Sequence, residues 1–375
     1  MLAAEGCLTR RRALQDKFPD CDLLVVSQPH HVYYLSGFLP LSSELARWWG
    51  MNFLLIDRDG GVRLVVDNWG AAYAETAHVD DRTVWPWYDF SGPADDKYAA
   101  AAEALAQVLE KHYSMCSQTA CERAHLPVDA LAVLDATEVL DLGPELQAMR
   151  RVKHEDELVC IRHAMEATAV GHVAARAALR PGVSEMEVYA DIQAATARAA
   201  GEPILMLGDF AGGKRTEAGG GPPTDNVLRA GDLIILDLFP IIRGYRADFT
   251  NTYCVGEPTQ AQRDHLAVLQ CAMEAVEEVL RPGASSAEIY AACRAPIAKA
   301  GLGEAFFHHA GHGLGLGHPE APFFVPNSTE VLRAGEVVTV EPGAYVEGFG
   351  GARIEHDYLI TENSFERLSH HEIGL

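Results

Sequence analysis

Residues 233–253 read LIILDLFPIIRGYRADFTNTY, two apolar and β-branched stretches joined by the short link IIRG. Stretches of this kind on either side of a turn are typical of a β-hairpin. With a midpoint near Ile242–Arg243, Asp237 and Asp248 are equidistant from the turn, so we expect them to face each other. Opposed side chains in an antiparallel pair have Cβ atoms about 4.5–5.5 Å apart. Two carboxylates at that distance repel unless a cation or a shared proton lies between them.

A second stretch repeats this arrangement. Residues 337–361 read VVTVEPGAYVEGFGGARIEHDYLIT, with Gly348 of the Gly-rich segment EGFGG at the centre of the expected turn. Glu341 and Glu355 are equidistant from that centre, so a second hairpin would also present a facing pair of acids. Each acid could instead be a solvated strand residue, but acids are uncommon inside apolar runs such as VVTVEPG.

The segment HHAGHGLGLGHPEAP, residues 308–322, adds imidazoles to these acids. His312 completes an oxygen-rich set with the four carboxylates of Asp237, Asp248, Glu341 and Glu355. One divalent ion would carry excess negative charge, whereas two ions about 3.5–4 Å apart can share bridging carboxylates and an activated water. The set therefore predicts a centre for two divalent metals. Hard oxygen ligands with one imidazole suit Mn²⁺ at least as well as Zn²⁺.

Length and composition exclude several classes of protein. The 375 residues are 48% hydrophobic and 22% charged, which predicts two globular domains. A net charge of −23 argues against nucleic-acid or anionic-membrane binding, since those partners require a basic surface. Residues 1–12 do not read as a signal peptide, and no apolar run is long enough to span a bilayer. Eight scattered cysteines without a CxxC pair indicate reduced thiols, so we expect a cytoplasmic protein.

The chain has two parts of different character. Residues 1–146 alternate strand-like runs such as CDLLVVSQ and VRLVVDNWG with helix-forming segments, which predicts an α/β domain. Residues 147–375 contain an internal repeat, because LRPGVS at 179–184 recurs as LRPGAS at 280–285. Each copy reads as helix, PG turn and helix, and each precedes one acid-bearing hairpin. We expect a duplicated unit with pseudo-two-fold symmetry that brings the two hairpins face to face.

The three motifs, in this order, resemble the pita-bread metallopeptidase family, which includes creatinase, prolidase (Xaa-Pro dipeptidase) and aminopeptidase P. The resemblance covers essentially the whole chain. It implies a creatinase-like α/β N-terminal domain followed by a pita-bread α+β catalytic domain, and two divalent ions, Mn²⁺, Co²⁺ or Zn²⁺, per subunit. It also implies that Asp237 is a bidentate ligand, that Asp248 and Glu355 bridge the metals, and that His312 and Glu341 complete one metal each.

The same resemblance implies groups that act on the substrate. A water held between the metals attacks the peptide carbonyl, and Glu341 is the base that takes its proton. His308 matches a histidine that holds the substrate or stabilises the tetrahedral oxyanion. Arg353 matches an arginine that keeps the acids of the metal site ionised.

Three positions depart from the family pattern. Gly220 stands seventeen residues before the first metal aspartate, where the family usually has a histidine. Pro319 stands seven residues after the ligand histidine, where the family usually has another, and His318 could replace that imidazole. Asn251 replaces the arginine of the usual TRT. Alternatively, the Gly-rich loop at residues 210–223 forms a different pocket, or is a surface loop.

These observations predict a dinuclear metal-dependent hydrolase that cleaves the Xaa-Pro bond of dipeptides or short peptides, with prolidase slightly favoured over aminopeptidase P. A dipeptide carboxylate needs a cationic or imidazole partner, for which Arg215, Arg353 and His318 are candidates. Because two substrate-side histidines are missing, an amide hydrolase acting on a non-proline or modified amino acid is the alternative. A non-enzymatic binding protein is disfavoured, since all five ligands remain.

The resemblance also implies a homodimer. All five tryptophans lie between residues 48 and 87. We expect this aromatic segment, Trp48–Trp87, either to pack in the protein core or to contact the partner subunit.

Overall fold

The computed structural model describes residues 1–39, 51–134 and 139–375, which form two compact units, Met1–Arg150 and Arg151–Leu375. Trp48 and Trp49, for which we expected a packing or partner contact, lie outside the described residues. In the described segments, every helix is too short or too polar to cross a membrane.

The first unit is an α/β domain built on a mixed sheet. Its strands are β1 (Leu23–Val26), β2 (Phe53–Asp57), β3 (Val62–Asp67), β4 (Asp81–Trp85), β5 (Thr119–Cys121) and β6 (Leu140–Asp141). They lie in the order β4-β3-β2-β1-β5-β6. Strand β2 is antiparallel to both β1 and β3, and the other neighbouring pairs are parallel. The helices are α1 (Ala4–Lys17), α2 (Pro29–Ser36), α3 (Ala71–Ala74), α4 (Lys97–His112), α5 (Val128–Val133) and α6 (Gly143–Met149).

Helix α4 shows how this unit is held together. Asp96 caps it by accepting a hydrogen bond from the Ala99 N–H at 2.8 Å. Its apolar face, with Leu105 and Val108, packs in one buried cluster with strand residues such as Val25. The observed alternation of helices and strands confirms the predicted α/β class for this part of the chain.

The second unit holds four longer helices and two groups of paired strands. The helices are α7 (Glu155–Ala178), α8 (Glu185–Ala200), α9 (Gln260–Glu277) and α10 (Ser286–Lys299), with a 3₁₀ turn at Gly213–Ala218. The first group of strands is β7 (Gly208–Gly212), β8 (Leu233–Leu238), β9 (Ile241–Ile242), β10 (Tyr245–Arg246) and β11 (Phe249–Cys254). The second is β12 (His312–Gly313), β13 (Glu320–Phe323), β14 (Val337–Val340), β15 (Gly343–Val346), β16 (Gly350–Arg353), β17 (His356–Ile360) and β18 (Phe365–Arg367).

The internal repeat is visible in these elements and confirms the predicted duplication. Helices α7 and α8 pack together, as do α9 and α10, and each pair is joined by its PG turn. Gly182 and Gly283 occupy equivalent positive-φ positions, at 91° and 87°, which glycine adopts without steric cost. Their N–H groups donate to the carbonyl oxygens of Leu228 (2.8 Å) and Leu332 (2.9 Å). The two halves therefore fold by the same local contacts.

The first hairpin forms as predicted, but its register differs. Strand β8 pairs with β11 so that Asp237 stands opposite Thr250, not opposite Asp248. The cause is the turn, since Arg243 (φ 51°) and Gly244 (φ 79°) form a two-residue loop of the type I′ kind, centred one residue later than expected. Asp248 lies two residues before Thr250, the partner of Asp237. Strand side chains alternate with period two, so Asp248 still lies on the same face of the hairpin as Asp237, as predicted.

The second hairpin has the predicted register. Pairs β14–β17 and β15–β16 continue one alignment about Gly348, and Glu341 and Glu355 stand opposite each other between them. The N–H of Glu355 donates to the carbonyl of Thr250 at 3.0 Å, which joins the two hairpins directly. This link brings the two pairs of acids to one place.

Candidate metal centre

The five predicted ligands line one cavity of about 400 Å³ in the second unit. Each comes from the end or edge of a strand, where the backbone is fixed by its pairing. Their exposed fractions run from 1% for Glu355 to 7% for Asp237 and Glu341, so all five are shielded from bulk water. The structure thus brings together Asp237, Asp248, His312, Glu341 and Glu355.

Their donor atoms form two overlapping groups. Asp237, Asp248 and Glu355 each offer an oxygen within 4.8 Å of the others, and His312, Glu341 and Glu355 do the same. Glu355 belongs to both groups. His312 Nε2 lies 3.4 Å from Asp248 Oδ2 and 3.8 Å from Glu341 Oε1. The arrangement has the form of two adjacent cation sites that share a carboxylate.

The electrostatics of the acids fit a cation. Burial and the charges of neighbouring carboxylates raise the pKa of Asp237 to about 8, despite the opposing effect of Arg353. Burial also raises the pKa of Asp248 to about 7, and burial with nearby acids raises the pKa of Glu355 well above its usual value. Asp237 Oδ1 is buried without a hydrogen-bond partner among the described residues. A divalent ion would stabilise the charged form of all three carboxylates.

Glu341 differs from the other acids because histidines surround it. His309 Nε2 lies 2.9 Å from Glu341 Oε1, and His308 Nδ1 lies 3.7 Å from Glu341 Oε2. Burial acts to raise the pKa of this carboxyl, but the hydrogen bond and charge of His309, with His308 and His312, lower it to about 2. Glu341 is therefore ionised at neutral pH.

Arg353 connects one metal-site acid to the cavity wall. Its Nη2 lies 2.7 Å from Asp237 Oδ2 and 2.6 Å from Asp209 Oδ2. Its Nη1 donates to the Tyr345 hydroxyl (3.1 Å) and to the Gly219 carbonyl (2.7 Å). These contacts orient the carboxylate of Asp237. They also occupy both terminal nitrogens of Arg353 with hydrogen bonds inside the protein.

His308 lies on the same wall of the cavity. Its Nδ1 is 2.7 Å from the His309 carbonyl oxygen, and its Nε2 is 2.9 Å from the Tyr345 hydroxyl. Burial lowers the pKa of His308 to about 4, so the ring is neutral at pH 7. Because Arg353 donates to Tyr345, the tyrosine O–H is free to donate to His308.

His318 reaches the site despite its shifted position in the sequence. Its Nε2 lies 2.8 Å from Asp248 Oδ2. Its ring stacks on Phe239, with ring centroids 4.3 Å apart and planes inclined by 14°. Burial and the charge of Arg246 lower the pKa of His318 to about 4. The structure therefore places this imidazole beside the predicted ligands.

The three departures from the family pattern lie in two different environments. Gly220 and Pro319 both line the cavity, so the groups missing there would have faced a substrate. Asn251 does not line it. Its buried side chain exchanges two hydrogen bonds with the backbone of Gly374, Nδ2 to O at 2.9 Å and N to Oδ1 at 3.1 Å. Asn251 therefore binds the C-terminal tail.

The loop at residues 210–223 contributes three consecutive residues to the site. Ala218, Gly219 and Gly220 line the cavity. Arg215 forms an ion pair with Glu185 and donates to the Pro222 carbonyl at 2.9 Å. It is not among the residues that line the cavity, so the structure does not bring this candidate carboxylate partner to the site.

Several residues of the site were not predicted. Asp209, His309 and Tyr345 line the cavity, and buried Asp357 accepts a hydrogen bond from the Asp248 N–H at 3.1 Å. Period-two alternation along the second hairpin could have identified Tyr345, which lies on the same face as Arg353. Asp209 lies outside the three motifs, and no alternation or spacing around it indicates a residue of the site.

Comparisons with known proteins agree with this geometry. Residues 159–362 match metallopeptidase family M24, and residues 10–152 match the creatinase/prolidase N-terminal domain. A probable dipeptidase PepE from Mycobacterium tuberculosis is 37% identical over 240 residues, which are 63% of this chain and 62% of that protein. The match thus spans less than two thirds of that relative. A Xaa-Pro dipeptidase from Pyrococcus furiosus is 28% identical over 350 residues, 93% of each chain.

Solved structures show the same architecture over nearly the whole chain. The prolidase from Pyrococcus horikoshii superposes with a TM-score of 0.82 at 27% identity, covering 98% of this chain and 99% of that one. The dipeptidase PepE from Mycobacterium ulcerans gives a TM-score of 0.77 at 27% identity, covering 99% and 97%. The two-domain creatinase/prolidase fold is confirmed. The chain is a metallopeptidase of family M24.

Proposed function

We propose that the protein hydrolyses the Xaa-Pro bond of dipeptides or short peptides with the help of two divalent metal ions. One observation carries the proposal, the convergence of five donor residues from two hairpins and one loop in a single buried cavity. Relatives of known fold and similar sequence bear the names Xaa-Pro dipeptidase and prolidase.

The donors divide between the two ions as follows. Asp237 and Glu355 would hold one ion, and His312 and Glu341, again with Glu355, would hold the other. Asp248 could contribute to either, because it groups with Asp237 and lies 3.4 Å from His312 Nε2. Hard carboxylate oxygens suit Mn²⁺, Co²⁺ and Zn²⁺. When bound, the ions supply an activated water and polarise the substrate carbonyl.

Two side chains of the cavity act on the reactants: Glu341 takes a proton from the water, and His308 contacts the substrate. Glu341 is ionised and borders the cavity, so it accepts the proton of the attacking water. The hydrogen bonds from Arg353 to Tyr345 and from Tyr345 to His308 fix the His308 ring at the cavity wall. On substrate binding, His308 exchanges its contact with Tyr345 for one with the substrate.

The size and lining of the cavity support a small peptide as substrate. A volume of about 400 Å³ lies in the range of small-molecule sites, which suits a dipeptide. Arg353 is bound to Asp209 and Asp237, so we assign the substrate carboxylate to the imidazole of His309. Despite burial, the hydrogen bond and charge of Glu341 raise the pKa of His309, which favours its cationic form.

A second candidate function rests on Gly220 and Pro319. Both face the cavity, and both lack the imidazole that the resemblance led us to expect. An amide hydrolase acting on a non-proline or modified amino acid would need different contacts at these positions. The two functions share the metal centre and differ only in the substrate.

The test compares three substrates on one preparation. The protein is stripped with a chelator, refilled separately with Mn²⁺, Co²⁺ or Zn²⁺, and assayed with Ala-Pro, Ala-Pro-Ala and Ala-Ala. We expect cleavage of Ala-Pro that returns with metal and is lost in Asp248→Ala. Preference for Ala-Pro-Ala would indicate an aminopeptidase.

A matched control separates loss of a ligand from loss of an acidic side chain. Asp264 is exposed on helix α9, so Asp264→Ala should keep full activity. No cleavage of any peptide by a protein that still binds two metals would refute the Xaa-Pro assignment and favour the second candidate function. Failure to bind divalent metal at all would refute both.

We also propose a homodimer, in a cytoplasmic setting. In the first unit, Trp69, Trp87, Tyr88 and Phe90 form an aromatic group, and Phe90 is 74% exposed. An exposed aromatic group of this kind is suited to a subunit contact. Light scattering of the Phe90→Asp variant tests this, since a variant that remains dimeric would exclude this surface.

A further inference from the structure

We propose that His318 is a direct metal ligand, so that the ion held by Asp248 and His312 has two imidazoles instead of one. This inference rests on the proposed dinuclear centre and adds one residue to it. The His318 ring lines the same cavity as the five predicted ligands, next to the Pro319 that departs from the family pattern.

The distances between donor atoms fit coordination of one ion. His318 Nε2 lies 2.8 Å from Asp248 Oδ2, and His312 Nε2 lies 3.4 Å from the same oxygen. Donors placed about 2.1 Å from a metal are separated by about 3.0 Å in octahedral and 3.4 Å in tetrahedral geometry. Ligand atoms of all three residues lie within 4.8 Å of one another.

The orientation of the two rings also fits. His312 Nδ1 hydrogen-bonds to the Gly313 carbonyl at 2.9 Å, and Nε2 of the same ring faces Asp248. Hydrogen bonding of one ring nitrogen to a carbonyl leaves the lone pair on the other, as metal-ligating histidines require. Stacking on Phe239 holds the His318 ring in place. An imidazole lone pair and a carboxylate oxygen 2.8 Å apart repel unless a cation or a proton lies between them.

A second imidazole would strengthen the preference of the centre for Zn²⁺ and Co²⁺ over Mn²⁺. Imidazole nitrogen is a softer donor than carboxylate oxygen and suits Zn²⁺ and Co²⁺ better than Mn²⁺. The expectation from the sequence, that Mn²⁺ suits the centre at least as well as Zn²⁺, counted only His312. Zn²⁺ and Co²⁺ bind most sites more tightly than Mn²⁺, so the informative quantity is the ratio of affinities. If His318 is a ligand, we expect the ratio of Zn²⁺ to Mn²⁺ affinity to fall in His318→Asn.

The first experiment counts imidazoles by X-ray absorption on the unaltered protein loaded with two equivalents of Zn²⁺. Ligation by both His312 and His318 gives on average about one imidazole per zinc, whereas His312 alone gives about half. The lower count in the unaltered protein would overturn the proposal, and this measurement does not depend on the folding of any variant.

The second experiment measures affinity by competition with a chromophoric chelator. His318→Asn keeps a hydrogen-bond donor for Asp248 but removes the imidazole, so we expect one of the two ions to bind at least about 10-fold more weakly. Unchanged affinity in His318→Asn, with altered KM for Ala-Pro, would show that His318 contacts only the substrate. His163, which hydrogen-bonds to the Ala200 carbonyl at 3.1 Å, provides the control variant His163→Ala.

One further variant separates failure of this inference from failure of the proposed function. Asp248→Ala removes a ligand of the proposed dinuclear centre and should lower the number of bound ions. If Asp248→Ala binds metal normally, the dinuclear centre itself is wrong. If Asp248→Ala loses metal while His318→Asn does not, only the role of His318 is wrong.

Discussion

Gly220 leaves open the space that the carboxylate of Asp209 occupies, since a Cβ at position 220 would overlap both Asp209 oxygens. That carboxylate is held at 2.8 Å by the Gly221 N–H and at 2.6 Å by Arg353 Nη2. The glycine that replaces the family's histidine therefore permits an acid to bind the arginine beside Asp237.

Gly220→Ala should displace Asp209 from Arg353 and so disturb the orientation of Asp237. A misplacement of about 1 Å in a catalytic group lowers the rate by up to about 100-fold, so we expect kcat/KM for Ala-Pro to fall about 10- to 100-fold. Steady-state kinetics with each metal would measure this. Gly92→Ala is the matched control, because a Cβ there meets nothing within 4 Å. Equal activity of both variants would contradict the argument.

Arg353 and Asp209 should show strong energetic coupling. Arg353→Met leaves buried Asp237 and partly buried Asp209 without their cation, and loss of one member of a buried ion pair costs about 3–5 kcal/mol. Asp209→Asn in the same background should recover part of that loss. Urea denaturation of the two single variants and the double variant gives the coupling free energy. Additive effects within about 0.5 kcal/mol would show that the pair is not coupled.

Above about pH 7 the metal-free protein should lose stability as the pH rises. Buried histidines whose pKa is lowered, such as His308 and His318, are neutral in both states there and do not contribute. The pKa values of Asp237 and Asp248 are raised to about 8 and about 7 in the folded chain, against about 3.9 for an unfolded aspartate. Between these values the folded state binds more protons than the unfolded state, so the free energy of unfolding falls with pH. The contribution is fully present below about pH 4 and is lost as the pH passes through about 8.

Denaturant titrations at about pH 7 and about pH 9 measure this effect. We expect a decrease of about 1–2 kcal/mol without metal, and a smaller decrease in Asp237→Asn, which cannot ionise. Metal-loaded protein should show the opposite trend, because ions bind the deprotonated acids. A free energy of unfolding that rises with pH in the metal-free protein, and equally in Asp237→Asn, would show that these acids are ionised without metal.

Asn251 should stabilise the C-terminal tail. Asn251→Ala removes both hydrogen bonds to Gly374 at a fully buried position, which should cost about 1–3 kcal/mol. The tail also bonds to strand β11 through His371 Nε2 and the Thr250 carbonyl, at 3.0 Å. Hydrogen exchange of residues 369–375 should therefore accelerate in the variant. Exposed Asn327 provides the control Asn327→Ala, and equal exchange in both variants would exclude this role.

The sequence by itself was sufficient to predict the features that depend on strand alternation and on residues at turns. Strand alternation and a Gly-rich turn fixed the alignment about Gly348, so the opposition of Glu341 and Glu355 followed from spacing alone. Repetition of LRPG predicted the duplicated helix pairs for the same reason. The first hairpin shows the limit, since its register depended on whether Arg243 would adopt a positive φ.

Only the tertiary structure decided which distant side chains meet at the cavity. Asp209 lies on strand β7 and Arg353 on the second hairpin, and nothing in the spacing of either indicates their ion pair. The contact between His318 and Asp248 likewise depends on how the loop after β12 folds over the first hairpin. Spacing along a strand determines which face a residue occupies, because the backbone repeats every two residues. Contacts between segments far apart in sequence depend on the packing of the whole unit.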